Sequence, residues 1–325
     1  MARALVTGIG GQDGSYLAEQ LLGHGYEVFG TVLGSPEGYP SLASLKERIR
    51  FVPIELEDAE DVRRALREVE PDEVYHLASA SFVPASWEDP VGTSTSAVAA
   101  VSALLEGIRR DLPEARFVNA ASAEIFGAPT EVPQTEKTPI APLTPYGAGK
   151  AFAHFLTGAF RRQYGLRASS AILFNHESPR RPLQFLTRKV TYGAAAISLG
   201  LERELRLGDL SAQRDWGFAG DYVRALRLMA ARDEPDDYVI ATGEAHTVEE
   251  FVAAAFDEVG LDWRDHVRYD PEFARGSADS RALLGDPTKA REQLGWERDV
   301  EFPELVHLMV EADLELLEDQ AASAR

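Results

Sequence analysis

Cysteine is absent from this chain. That excludes a thiol nucleophile, a disulfide framework and a Cys-ligated zinc site. Positive charge is scarce: 33 Lys and Arg stand against 53 Asp and Glu, for a formal charge of −20. Such a field does not attract a phosphate backbone, so no nucleic-acid partner is expected. An anionic small molecule would need a locally basic pocket set against that field. No run approaches the roughly 18 apolar residues of a membrane helix, and the opening MARALVTG reads as strand and loop rather than a cleavable leader. No membrane partner is therefore expected, and a cytoplasmic location is. No His, Asp or Glu cluster shows metal-ligand spacing, so no metal is expected.

What is present is a regular alternation of strand and helix patterns. Ala4–Thr7, Glu27–Val32, Ile49–Ile54, Glu73–Leu77, Arg116–Ala120 and Ala168–Phe174 read as strands. Ser15–Gly23, Asp58–Val69, Thr93–Arg110 and Tyr146–Tyr164 read as the helices between them. This predicts an α/β fold, a doubly wound parallel (Rossmann) sheet, followed by a smaller C-terminal substrate-binding domain. Residues 1–174 form the dinucleotide-binding part, which the chain re-enters at about 216–243. Residues 175–215 and 244–325 form the other, with Asn175–Pro182 a polar loop.

Two features carry chemistry. Gly8, Gly11 and Gly14, with Gln12 and Asp13 between them, join the first strand to the first helix. Glycines there let the backbone turn sharply and approach a pyrophosphate at the helix N-terminus. The stretch Gly30–Ser35, which ends the second strand, offers neither an Asp for NAD nor an Arg for NADP, so the residues leave that choice open. Glu55 and Leu56, after the third strand, read equally as residues flanking an adenine and as a strand end running into a solvated acidic helix. The second feature is Tyr146 four residues before Lys150, a spacing that puts both on one helix face. The lysine cation is expected to lower the phenol pKa. Ser122 and Glu124 end the preceding strand at its carboxyl end, where ligands bind in such sheets. Glu124 supplies a second base that a simple alcohol dehydrogenase does not need.

Arg180 and Arg181 read as a solvated loop pair, with reach to a phosphate or a neighbouring subunit as the alternative, His76 as a structural residue near the cofactor, and Trp87, Trp216 and Trp296 as core or pocket walls. The residues alone suggest redox chemistry at a sugar hydroxyl plus proton abstraction at a neighbouring carbon, with a non-catalytic dinucleotide-binding sensor as the alternative.

Several rare strings in order sharpen this. Thr7–Leu17, Ile172–Arg180, Thr187–Lys189, Arg214–Trp216, Asp236–Gly243 and Leu284–Ala290 together make the chain resemble the GDP-mannose 4,6-dehydratase family of the extended short-chain dehydrogenases/reductases. The resemblance implies a homodimer or homotetramer that acts on a GDP-linked sugar with an internally recycled NADP. It implies catalytic roles for Ser122, Glu124, Tyr146 and Lys150, and substrate contacts at Ser81, Asn175, Lys189, Arg214 and Arg275. Leu33 and Gly34 stand where the family carries a paired Arg that grips the NADP 2′-phosphate, which keeps NAD possible.

Overall fold

The computed structural model describes residues 1–273 and 283–323. Its first part runs β1 (Arg3–Thr7), α1 (Gln12–Gly23), β2 (Glu27–Thr31), β3 (Ile49–Phe51), α2 (Ala59–Val69), β4 (Glu73–His76), the single turn α3 (Ala85–Glu88), α4 (Pro90–Asp111), β5 (Arg116–Ser122), α5 (Pro145–Tyr164) and β6 (Ala168–Leu173). It continues through β7 (Asn175–Glu177), α6 (Leu186–Ser198), β8 (Leu205–Leu207), β9 (Gln213–Arg214), β10 (Trp216–Phe218), α7 (Ala219–Ala230), β11 (Tyr238–Ile240), β12 (His246–Thr247), α8 (Val248–Glu258), α9 (Trp263–His266), β13 (Val267–Tyr269), α10 (Thr288–Leu294) and α11 (Phe302–Ser323).

Seven strands form one parallel sheet in the order β11-β6-β5-β4-β1-β2-β3. Alternation along β1 shows why it is doubly wound. Ala4 and Val6 pack with Leu17 and Leu21 of α1 and Leu226 of α7. Leu5 points the other way, into Val62 and Leu66 of α2 and Leu104 and Ile108 of α4. Both sets are fully buried, so each residue of the strand serves one layer. The order reverses between β1 and β4, and the carboxyl ends of those two strands open a crevice. A separate apolar core gathers α6, α8 and α11 around Trp216, Phe251 and Met309.

Two segments depart from the sequence reading. Asn175–Glu177 is not loop but β7, paired in parallel with Trp216–Phe218. Its polar side chains hide a strand that exists only because a distant segment supplies the ladder. Helix α4 is long and apolar enough, by length and composition, to cross a membrane. Thr93–Ser96 interrupt its apolar run without offsetting its Ala, Val and Leu content, so counting uninterrupted residues passes it over. Its buried face, including Val101, Leu104, Leu105 and Ile108, packs in the core beside α2.

Candidate active site

The glycine loop is shaped by steric need. Gly8 has φ +71°, a left-handed backbone that favours glycine, and a Cβ there would lie 2.8 Å from the Ala78 Cα. A Cβ on Gly14 would meet the Gly8 carbonyl oxygen at 2.4 Å and the Ile9 Cα at 2.6 Å. Glycine at 14 thus lets α1 press against the end of β1. Gly11 is the N-cap of α1 and no side chain caps that end. No side chain thus meets the first amides of α1, at the positive end of a helix that borders the cavity, a setting that suits a pyrophosphate.

One cavity of about 1160 Å³ runs from this loop across the carboxyl ends of the strands. Gly8, Gly11, Gln12, Asp13, Gly14, Glu55 and Leu56 line one part of it. Ser122, Glu124, Tyr146 and Lys150 line the middle, and Ser81, Asn175, Lys189 and Arg214 also reach it. Arg275 lies outside the described residues.

Thr144 caps α5 by accepting from the Gly147 amide at 2.9 Å, with Pro145 at the first helical position. This fixes where Tyr146 enters the cavity. Its hydroxyl is hydrogen-bonded to the Ser122 side chain. The Ser122 hydroxyl in turn accepts from the Glu124 amide at 3.3 Å. One turn on, the Lys150 ammonium donates to the Ala120 carbonyl at 2.8 Å and lies 5.7 Å from the centre of the Tyr146 ring. The helical spacing thus puts phenol and ammonium side by side, beside the end of β5.

The electrostatics correct the expected activation of the phenol. Tyr146 is pushed up to about 12, not down. Burial is the main cause, and the nearby Glu124 and Asp13 carboxylates add to it against the Ser122 hydrogen bond and the Arg181 charge. Lys150 is pushed down to about 8 by burial, with Asp13 opposing. The tyrosine is therefore protonated in this state.

A second cluster ties the glycine loop to β7. The His176 imidazole lies 2.9 Å from the Asp13 carboxylate and 2.6 Å from the Phe174 carbonyl. The Gln12 amide donates to the His176 carbonyl at 3.0 Å and to Asp13 at 3.1 Å, and Ser178 donates to the Gln12 oxygen at 2.8 Å. Burial works to raise the Asp13 pKa, but the His176 charge and these hydrogen bonds bring it to about 2. Burial opposes protonation of His176, and Asp13 still raises its pKa.

A sequence model of the family described as GDP-mannose 4,6 dehydratase matches residues 5–309. This chain belongs to the GDP-mannose 4,6-dehydratase family. GDP-mannose 4,6 dehydratase 2 of Arabidopsis thaliana is 45% identical over 326 residues, covering 96% of this chain and 87% of the relative. GDP-mannose 4,6 dehydratase of Homo sapiens is 39% identical over 342 residues, covering 97% and 92%. Among solved structures, UDP-glucose 4-epimerase of Thermotoga maritima with UDP-glucose superposes with a TM-score of 0.87 at 27% identity, covering 97% of this chain and 99% of the other. A dTDP-glucose 4,6-dehydratase of Streptomyces venezuelae, with NAD and TYD bound, gives 0.85 at 27% identity, covering 96% and 97%. The family consists of hydro-lyases built on the extended short-chain dehydrogenase/reductase fold.

Within this member of the dehydratase family, sequence reasoning missed or misjudged several residues near the cavity. Arg181 is not solvated: it stacks on the Phe185 ring at 3.7 Å, pairs with Glu177 at 3.1 Å and lines the cavity wall. Arg180 stacks on Tyr16 at 3.9 Å and pairs with Glu19. The partners of Arg180 lie about 160 positions away, whereas those of Arg181, Glu177 and Phe185, lie four positions to either side and were the available signal. Arg188, buried, holds the backbone that carries the pair by donating to the Pro179 and Arg181 carbonyls, while Asp313 of α11 grips it at 2.6 Å. Trp216 and Trp296 are buried as expected, but Trp87 is 62% exposed. His76 lies in the cavity wall with a nitrogen 2.9 Å from the Thr7 hydroxyl, and burial with the Lys150 charge lowers its pKa to about 3.

Proposed function

We propose that this chain is a nucleotide-sugar 4,6-dehydratase that converts GDP-mannose to GDP-4-keto-6-deoxymannose. The observation that carries the reading is Glu124 beside the Ser122–Tyr146–Lys150 group in one cavity, close enough to raise the Tyr146 pKa. A nicotinamide dinucleotide fits the glycine cradle and, when bound, stores and returns one hydride, so the conversion loses water without net redox change.

The chain's own residues handle the protons. Tyr146 takes the proton of the sugar C4 hydroxyl, and Ser122 hydrogen-bonds the C4 oxygen. Lys150, whose pKa stays near 8, favours the phenolate form that Tyr146 must hold before it can accept that proton. Once C4 is a ketone, the neighbouring C5 proton is acidic, and Glu124 removes it. The same carboxyl protonates the C6 hydroxyl, which leaves as water, and C5 regains a proton from Tyr146 as C6 takes back the stored hydride. Lys189 and Arg214 hold the diphosphate, one as a point charge and the other as a flat fork of donors. Asn175 and Ser81 contact the sugar nucleotide, and Gly8, Gly11, Gln12, Asp13, Gly14, Glu55 and Leu56 hold the dinucleotide. The sheet-bearing part, with its return at about 216–243, binds the cofactor, and the remainder binds the nucleotide sugar.

The assembly we propose is a homodimer through α4 and α5. Val91, Val98, Phe152 and Phe155 leave an apolar strip exposed on these two helices.

Incubating the purified protein with GDP-mannose and catalytic dinucleotide tests the function. The expected product is a 4-keto-6-deoxy sugar nucleotide with no accumulation of reduced cofactor. Recovery of a C4 epimer would replace this reading with an epimerase, and dinucleotide binding without turnover of any sugar nucleotide would replace it with a sensor.

A further inference from the structure

The pyrophosphate position at the start of α1 fixes where the adenosine end of a dinucleotide must lie. It lies over the carboxyl ends of β2 and β3, where Thr31–Leu33 and Ile54–Glu57 leave the sheet side by side and line the cavity. NADP differs from NAD here by one 2′-phosphate, which adds nearly two negative charges and calls for a cation.

This end of the cavity has the opposite character. Glu55 and Glu57 line it. Among the described residues, the Lys and Arg side chains that line the cavity are Lys150, Arg181, Lys189 and Arg214, all far along the chain in the catalytic and sugar-nucleotide parts. Leu33, just past the end of β2, is 92% exposed. The next residue, Gly34, has φ +78°, so a side chain there would be strained. The nearby hydroxyls are engaged: Ser41 donates to the Gly10 carbonyl at 2.6 Å, Tyr39 donates to the Leu33 carbonyl at 3.0 Å, and Ser35 donates to Glu37. The Tyr39 ring also lies against Gly10, where a Cβ would come within 2.3 Å of it.

We infer that this chain takes NAD(H) and discriminates against NADP(H), with Leu33 and the Glu55–Glu57 carboxylates as the specificity-determining residues. The inference rests on the nicotinamide-dinucleotide reading above. A 2′-phosphate would sit beside two carboxylates, at an end of the cavity that no Lys or Arg side chain lines among the described residues.

Calorimetric titration of the full chain with NADH and with NADPH tests this without relying on turnover. NADH is expected to bind tighter by roughly tenfold or more, as for an uncompensated phosphate beside like charge. L33R is expected to shift the NADPH-to-NADH affinity ratio toward NADPH by about tenfold, and added salt should erode that gain. NADPH binding as tightly as NADH to the unaltered chain would overturn the inference. No shift in L33R would overturn the role of this position. Binding of neither dinucleotide would overturn the cofactor reading itself and the inference with it.

Discussion

At the scale of single residues, the site is a problem of protons held out of water. The buried tyrosine keeps its proton up to about 12, and its lysine neighbour gives one up near 8. For Lys150 the linkage has a definite sign. Between about 8 and the ordinary 10.5, the unfolded chain holds a proton that the folded chain has released, so stability rises with pH through that window. Lys150→Met removes the titrating group, and chemical denaturation at pH 7 and pH 10 should show a smaller rise than in the unaltered protein. Glu124→Gln is expected to lower turnover by ~10²–10⁴-fold, as for loss of a positioned base. It should also abolish deuterium uptake at C5 from heavy water, which mass spectrometry of the product follows. The pairing of Tyr146 with Lys150 was legible because helical spacing alone sets it. The direction of the phenol's shift was not legible. It depends first on burial by walls that no local pattern describes, and to a lesser degree on Glu124 and on Asp13, a residue 133 positions earlier in the chain.

At the scale of elements, the structure joins short pieces by buried carboxylates. Asp215, fully buried, accepts from the Thr242 amide and hydroxyl at 2.8 and 2.7 Å and from the Gly243 and Gly285 amides at 3.1 and 3.3 Å. It thereby pins the residue between β9 and β10 to the end of β11 and to the chain before α10. Asp215→Asn would turn an amide N–H₂ toward N–H donors, and is expected to cost about 1–3 kcal/mol through unmet buried groups. Urea denaturation measures that loss. The fold was legible where an element carried its own signal, as in α2, whose Val62, Leu66 and Val69 mark the buried side and whose Asp58 caps the start. It was illegible where two short strands exist only as a pair, as with β7 and β10. Asn175-His-Glu is a polar string that nothing local marks as a strand.

At the scale of the whole molecule, the exposed strip on α4 and α5 sets the expected assembly. Phe155, 56% exposed, sits on that strip, so Phe155→Glu should leave the fold intact and shift sedimentation from dimer toward monomer. The seven-stranded sheet also has an order of completion. Its edge strand β11 comes from Tyr238–Ile240, and it covers Ala171–Leu173 only after the chain has passed through β7, α6 and α7. A chain emerging from the ribosome therefore carries an open, apolar β6 edge for more than sixty further residues of synthesis. A fragment cut after residue 174 would hold that half-finished state permanently, so this protein should tolerate dissection into its cofactor-binding half far less well than the linear order of its motifs suggests.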